Sequence, residues 1–188
     1  MTTAESPVQS LLAPGIWDVD RDHSNVEFVA RHLLSRVRGR FSDFDGTITV
    51  APDPSESRVE VEIDAASIDT HQPDRDAHLR TGDFLDVERY PKLTFLSTGV
   101  RESHEPGRYV VDGELTIRDV TKPVTLDVEF LGWSDDPWGG KRAGFSATTE
   151  IDRYDFGANW NLVVETGGFV VGRKVRIELE VEAVLRAE

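Results

Sequence analysis

Five histidines, a run of arginines and an Asp-His-Ser triplet are the side chains of this chain best suited to chemistry. His23 and Ser24 stand side by side in "DRDHS", the residue types of a general base and a nucleophile. Neighbours on a strand point to opposite faces, so the two cannot converge on one substrate atom. They read instead as hydrogen-bonding residues at a turn and the start of a strand. His71 and His78 are seven apart, two turns of a helix, whereas helical zinc sites set their histidines four apart. His104 falls in a turn. With no cysteine, zinc would have to be held by histidine and carboxylate alone, and no such spacing is present. The expectation is no metal, no cofactor and no catalytic residue.

The segment "RHLLSRVRGRF", residues 31–41, puts four arginines and a histidine into a chain with 35 acidic and 21 basic side chains and a net charge of -14. Two readings stand open. In one, Arg36, Arg38 and Arg40 pair with surplus surface acids, and His32 is a hydrogen-bonded structural residue. In the other, His32 points inward at a rim, and the arginines receive a polar or phosphorylated head group, arginine being suited to bidentate phosphate contacts. His78 and Trp160, in two irregular stretches, are placed at the same rim. An enzyme using His32 or His78 is the alternative, and it requires a carboxylate or hydroxyl converging on that histidine.

What must position these residues is a sheet. "RVEVEID" sets Val59, Val61 and Ile63 against Glu60, Glu62 and Asp64, and "KVRIELEVEAVLR" alternates in the same way over thirteen residues. Period-two alternation is the mark of half-buried antiparallel strands. Strands are predicted near 16–20, 24–32, 36–50, 58–66, 92–103, 108–118, 122–134, 141–152 and 173–186, the first two joined as one bent strand. Several exceed ten residues, which suits tilted barrel staves. The inward face is predicted to carry Phe28, Val61, Ile63, Phe95, Leu115, Val128, Phe145 and Ile177. Inward Ala30, Gly99, Gly113, Ala143, Ala147 and Ala183 fit either spare space or bulky neighbours. Two stretches break the alternation. Residues 70–91 predict a short helix from Pro73 to about Arg80, and residues 152–169 a long loop or short helical turns.

Composition is that of an ordinary globular domain, 38% apolar and 30% charged. Its negative field disfavours nucleic acid and anionic partners. No apolar run approaches the ~20 residues of a membrane helix, so no stable membrane insertion is expected. "MTTAESPVQSLLAPGIW" lacks a basic start and a long apolar run, so it does not read as a secretory signal. The expectation is a cytoplasmic location, with residues 1–14 a flexible lead-in to one domain over 15–188.

Four blocks in order then resemble a known family. "WDVDRDHSNVEFVARHLLSRVRGRFSDFDGTI" is similar to the opening of YceI-like, polyisoprenoid-binding proteins, with Asp-x-x-His-Ser, a strand ending in His, and Gly-x-Phe. "DRDAHLRTGDFLDVERYPKLTFLST", "GELTIRDVTKPVTLDVEFLG" and "DRYDFGANWN...GGFVVGRKVRIELEVEA" supply the remaining blocks. Asp119 stands where the family usually has glycine. The resemblance implies an all-β, eight-stranded antiparallel, lipocalin-like β-barrel with a short helix and a long loop near its open end. It further implies an apolar isoprenoid-type lipid as partner, no catalysis, and a homodimer. A filled, ligand-free stress-response scaffold is a further alternative.

Overall fold

The computed structural model describes residues 12–188; the expected lead-in over 1–14 therefore lies almost wholly outside the described residues. The strands are β1 (Gly15–Val19), β2 (Asn25–His32), β3 (Ser35–Phe41), β4 (Phe44–Val50), β5 (Arg58–Asp64), β6 (Ile68–Asp69) and β7 (Lys92–Glu102). They continue as β8 (Arg108–Ile117), β9 (Val120–Asp135), β10 (Lys141–Asp152), β11 (Val163–Val164), β12 (Gly168–Phe169) and β13 (Val171–Leu185). The one α-helix among the described residues is α1, Pro73–Leu79.

Every neighbour in the main sheet pairs antiparallel, and the sheet closes because β13 bonds both β10 and the pair β1 and β2. β1 and β2 are halves of one stave, as the sequence predicts. The break between them is a single 3-10 turn at Arg21–His23, capped by the Asp20 carboxylate accepting from the Asp22 amide. Ser24 repairs the ladder there: its hydroxyl donates to Glu182 O, and the Glu182 amide donates back to Ser24 Oγ. This is the turn-and-strand role expected for the Asp-His-Ser triplet. β3 and β4 form a second broken stave, which gives eight staves in a closed barrel.

Alternation decides which side of each stave is dry. Inward residues build one apolar cluster around Phe95, Val111, Leu115, Leu126 and Phe156, and a smaller one around Trp17, Ala143 and Ala183. Trp17 is wholly buried, and its indole N–H donates to Ala13 O. Of the small residues expected inward, Gly99 is the exception: a bulge between Ser97 and Gly99 shifts the phase, pairing Gly99 with Asp112 and turning Val100 to the cavity. The others divide into two kinds. Ala143 and Ala183 make room for Trp17, and Gly113 makes room for the Phe95 ring. Ala30 and Ala147 do not house a neighbour's ring in this way; they face open space inside the barrel.

The two irregular stretches sit at one end. α1 is anchored by Asp76, whose buried carboxylate accepts from the Thr70 amide (2.9 Å) and hydroxyl (2.5 Å). Arg80 donates to Ala66 O and Ile68 O. The 152–169 stretch holds a 3-10 turn at Arg153–Phe156, one of the short helical turns expected there, and a small β11–β12 hairpin that was not expected. In the β8–β9 turn it is Arg118, not Asp119, that takes positive φ (57°). The Arg118 guanidinium donates to Gly82 O and Phe84 O, fastening the segment after α1 across the barrel end.

Candidate functional site

The inner wall encloses a cavity of about 580 Å³, within the range of small-molecule pockets. Protein interiors otherwise leave few voids larger than a water molecule, so this space is a feature of the design. Its lining reaches from Pro14, Ala51 and Pro54, beside the C-terminal end of β13, to Phe84, Arg153 and Ala158, beside the N-terminal end of that strand. Phe28, Val61, Ile63, Phe95, Leu115, Val128, Phe145 and Ile177 all line it. Each lies on the alternating face that the pleat turns inward.

Polar side chains turned toward this space are few. Thr149 and Tyr109 lie on inward positions of β10 and β8. Burial, and secondarily the charge of Glu102, pushes the Tyr109 phenol above its ordinary range. Arg153 is the one buried cation among the described residues, 7% exposed. It donates from Nε to Gly172 O (2.9 Å), from Nη1 to Ala158 O (2.7 Å) and Trp160 O (2.9 Å), and from Nη2 to Val171 O (3.1 Å). No carboxylate lies within ion-pair distance of it among the described residues. Desolvation draws its pKa below the ordinary arginine value. Sequence reading missed Arg153; the only available signal was an arginine continuing the inward phase of β10.

The rim residues fall elsewhere than expected. His32 is exposed and does not line the cavity, because it ends β2 at a hairpin that extends past the barrel wall. Arg36, Arg38 and Arg40 alternate with inward Val37, Gly39 and Phe41, so they project from the outer surface. Arg38 bonds Glu27 (3.1 Å) and Glu178 (2.6 Å), and Arg40 bonds Asp69 (3.3 Å). For Arg38 and Arg40 the surface-pairing reading therefore describes the geometry, and the head-group role has no cavity contact. His78 and Trp160 sit one layer behind the lining, with ring centroids 4.6 Å apart; both pack on Phe84, which does line it. His78 Nε2 meets Asp83 Oδ2 at 2.8 Å, both side chains being partly exposed. No group of three or more potential metal ligands occurs among the described residues, and no described helix is long and apolar enough to cross a membrane.

A closed antiparallel barrel of eight staves around a continuous apolar cavity is thus the class of structure defined here. A family model described as a YceI-like domain matches residues 17–183, and the chain belongs to that family. Protein YceI of Escherichia coli O157:H7 is 44% identical over 147 residues, covering 77% of this chain and 76% of its own. The Salmonella arizonae protein of the same name is 41% identical over 169 residues, 89% of this chain and 84% of its own. Among solved structures, a Campylobacter jejuni YceI protein superposes with a TM-score of 0.71 at 30% identity, over 82% of this chain and 88% of its own. A polyisoprenoid binding domain from Saccharophagus degradans shares the fold, with a TM-score of 0.64 at 14% identity over 90% of this chain and 98% of its own.

Proposed function

We propose that this protein is a non-catalytic binder of a long apolar lipid of polyisoprenoid type, held inside the barrel for transport or sequestration. The observation that carries the reading is the continuous apolar cavity of about 580 Å³. An apolar chain is the complement of such a wall, since apolar cavities stay dry and take up apolar guests. Each methylene moved from water contributes about 0.8 kcal/mol, so ~10 buried carbons contribute roughly 8 kcal/mol before ordering costs. An exposed ion pair at the rim would add about 0–1 kcal/mol. The tail, not the head, sets the affinity.

Absence of catalysis is supported by the character of the inward polar groups. Thr149, Tyr109 and Arg153 are not joined to one another or to a histidine by any hydrogen bond, and Arg153 already spends its donors on four carbonyls. The His78–Asp83 pair has the elements of a general base, but neither residue lines the cavity.

Native mass spectrometry of protein purified from its own host tests the reading. A retained adduct whose extracted fragments are isoprenoid is the expected result. A bare polypeptide mass that stays bare after incubation with prenyl alcohols and prenyl phosphates would overturn it.

A further inference from the structure

The hairpin joining β2 to β3 is built against local preference. It is a two-residue turn, Leu33–Leu34, between the paired residues His32 and Ser35. Leu33 has φ of 50°, a left-handed conformation that such turns ordinarily give to glycine or asparagine. Leu34 is 96% exposed. The backbone places a second apolar hairpin directly alongside: Leu33 N donates to Val170 O, Val170 N donates to Leu162 O, and Val163 pairs with Phe169. Leu33, Leu34, Leu162, Val163 and Phe169 are all among the exposed large apolar side chains, and together they form one protruding tip.

Cations lie immediately behind it. Arg31 and Arg36 face each other across the β2–β3 ladder, an arrangement of like charges that is destabilising by itself. Neither forms an ion pair among the described residues, although Arg38 and Arg40 on the same face do. Across the two segments that build the tip, 28–41 and 156–172, the only acid is Glu165, in a chain with 35. The net-negative protein thus leaves these two segments almost without acids, and sets Arg31 and Arg36 behind exposed leucine and phenylalanine.

We propose that this tip docks on the surface of an anionic phospholipid bilayer. The apolar side chains enter the boundary between head groups and acyl chains, while Arg31 and Arg36 meet lipid phosphates. Tip and cavity share one boundary. Val171 lines the cavity and directly follows Val170, which is bonded to the tip. The surface is independent of which lipid the cavity holds, so docking can stand or fall apart from the carrier reading.

Flotation with vesicles of phosphatidylglycerol and phosphatidylcholine, against phosphatidylcholine alone, tests it on the full chain. Binding to the anionic vesicles at least tenfold above the zwitterionic ones, and weakened severalfold by 0.5 M salt, is expected. Leu33→Gly/Leu34→Ser should lose at least tenfold in binding while its melting temperature holds or rises, because glycine fits the turn that leucine strains. Arg31→Gln/Arg36→Gln should abolish the preference for anionic lipid without loss of stability. Equal weak flotation with both vesicles, or full binding by the Leu33/Leu34 variant, would overturn the proposal. So would light scattering that shows a dimer which the Leu33/Leu34 variant dissolves while vesicle binding is unchanged; the tip would then be an interface between two copies.

Discussion

The ring of Phe28 covers Gly39, its partner across the β2–β3 ladder, so closely that a Cβ on Gly39 would overlap the ring edge. Gly113, which pairs with Ser97 and so lies diagonal to Phe95 across the β7–β8 ladder, is covered by the Phe95 ring as closely, and its Cβ would also come within 2.7 Å of Leu96 O, a backbone atom. Two large rings are thereby laid flat on the wall, and the space in front of them stays open.

The two glycines should respond differently to the same substitution. In Gly39→Ala the Phe28 ring can swing into the cavity, so stability should fall by less than about 1 kcal/mol while the lipid retained falls. In Gly113→Ala the carbonyl cannot yield, and a loss of about 1–3 kcal/mol is expected. Urea unfolding of both variants, with extraction of bound lipid, checks this. Equal losses would mean that the cavity gives Phe28 no room.

Two alanines separate cavity from core. Ala147 lies between Val128 and Leu179 in the ladder and lines the cavity, whereas Ala183 is fully buried against Trp17. Ala147→Phe should fold with a melting temperature near that of the parent and retain at least tenfold less lipid. Ala183→Phe should overpack the Trp17 cluster and cost about 3 kcal/mol or more. Retention of lipid by Ala147→Phe at the parent level would place the ligand outside the barrel.

The staves and the inward face were legible because period two is written residue by residue. A strand such as 58–64 states which side is dry, and the eight lining positions follow from that phase. The ends of the staves were not legible. His32 continues the inward phase of Phe28 and Ala30, but its stave outruns the barrel there, so the phase no longer implies a cavity. Arg153 was obscured in the opposite way. It continues the phase of β10 into a segment that reads as a loop, and its partners are four backbone carbonyls with no sequence signature. The β11–β12 hairpin, two residues a side, is too short to show alternation at all.

One acid-sensitive point should be the β1–β2 corner. Arg142 bonds Asp20 (2.6 Å), Glu182 (2.9 Å) and Asp136 (3.0 Å), tying that corner to β13 and the β9–β10 turn. The Arg142 hydrogen bond, against the cost of burial, holds the Asp20 carboxyl below its ordinary 3.8. A depressed carboxylate contributes stability above its unfolded value and loses that contribution as pH falls through the folded value. Asp20→Asn should therefore be less stable than the parent by about 1–2 kcal/mol at neutral pH. The difference should close as pH falls from the ordinary carboxylate value through the depressed folded one, where the parent's carboxylate is protonated too. A gap that is constant from neutral to strongly acid pH would show that the asparagine disturbs the Asp22 cap and not the charge.

Arg153 is the residue on which the Ala158–Gly172 end of the cavity wall depends. Its planar guanidinium reaches carbonyls of Ala158, Trp160, Val171 and Gly172, so one side chain fastens the segment after the 3-10 turn to the start of β13. Arg153→Met would leave buried carbonyls without donors, each costing about 1–3 kcal/mol where water cannot replace the bond. A global loss of roughly 3 kcal/mol or more is expected, smaller than the simple sum because the segment can loosen toward solvent. Arg153→Lys should recover little of it, since a single ammonium cannot present the donors in a fixed plane to four separated acceptors. Hydrogen exchange should speed up first at the amides of 158–171, including the Val171 amide that Asn161 Oδ1 accepts from, before the staves open. A lysine variant as stable and as protected as the parent would show that charge alone, without the fork, holds this end of the barrel.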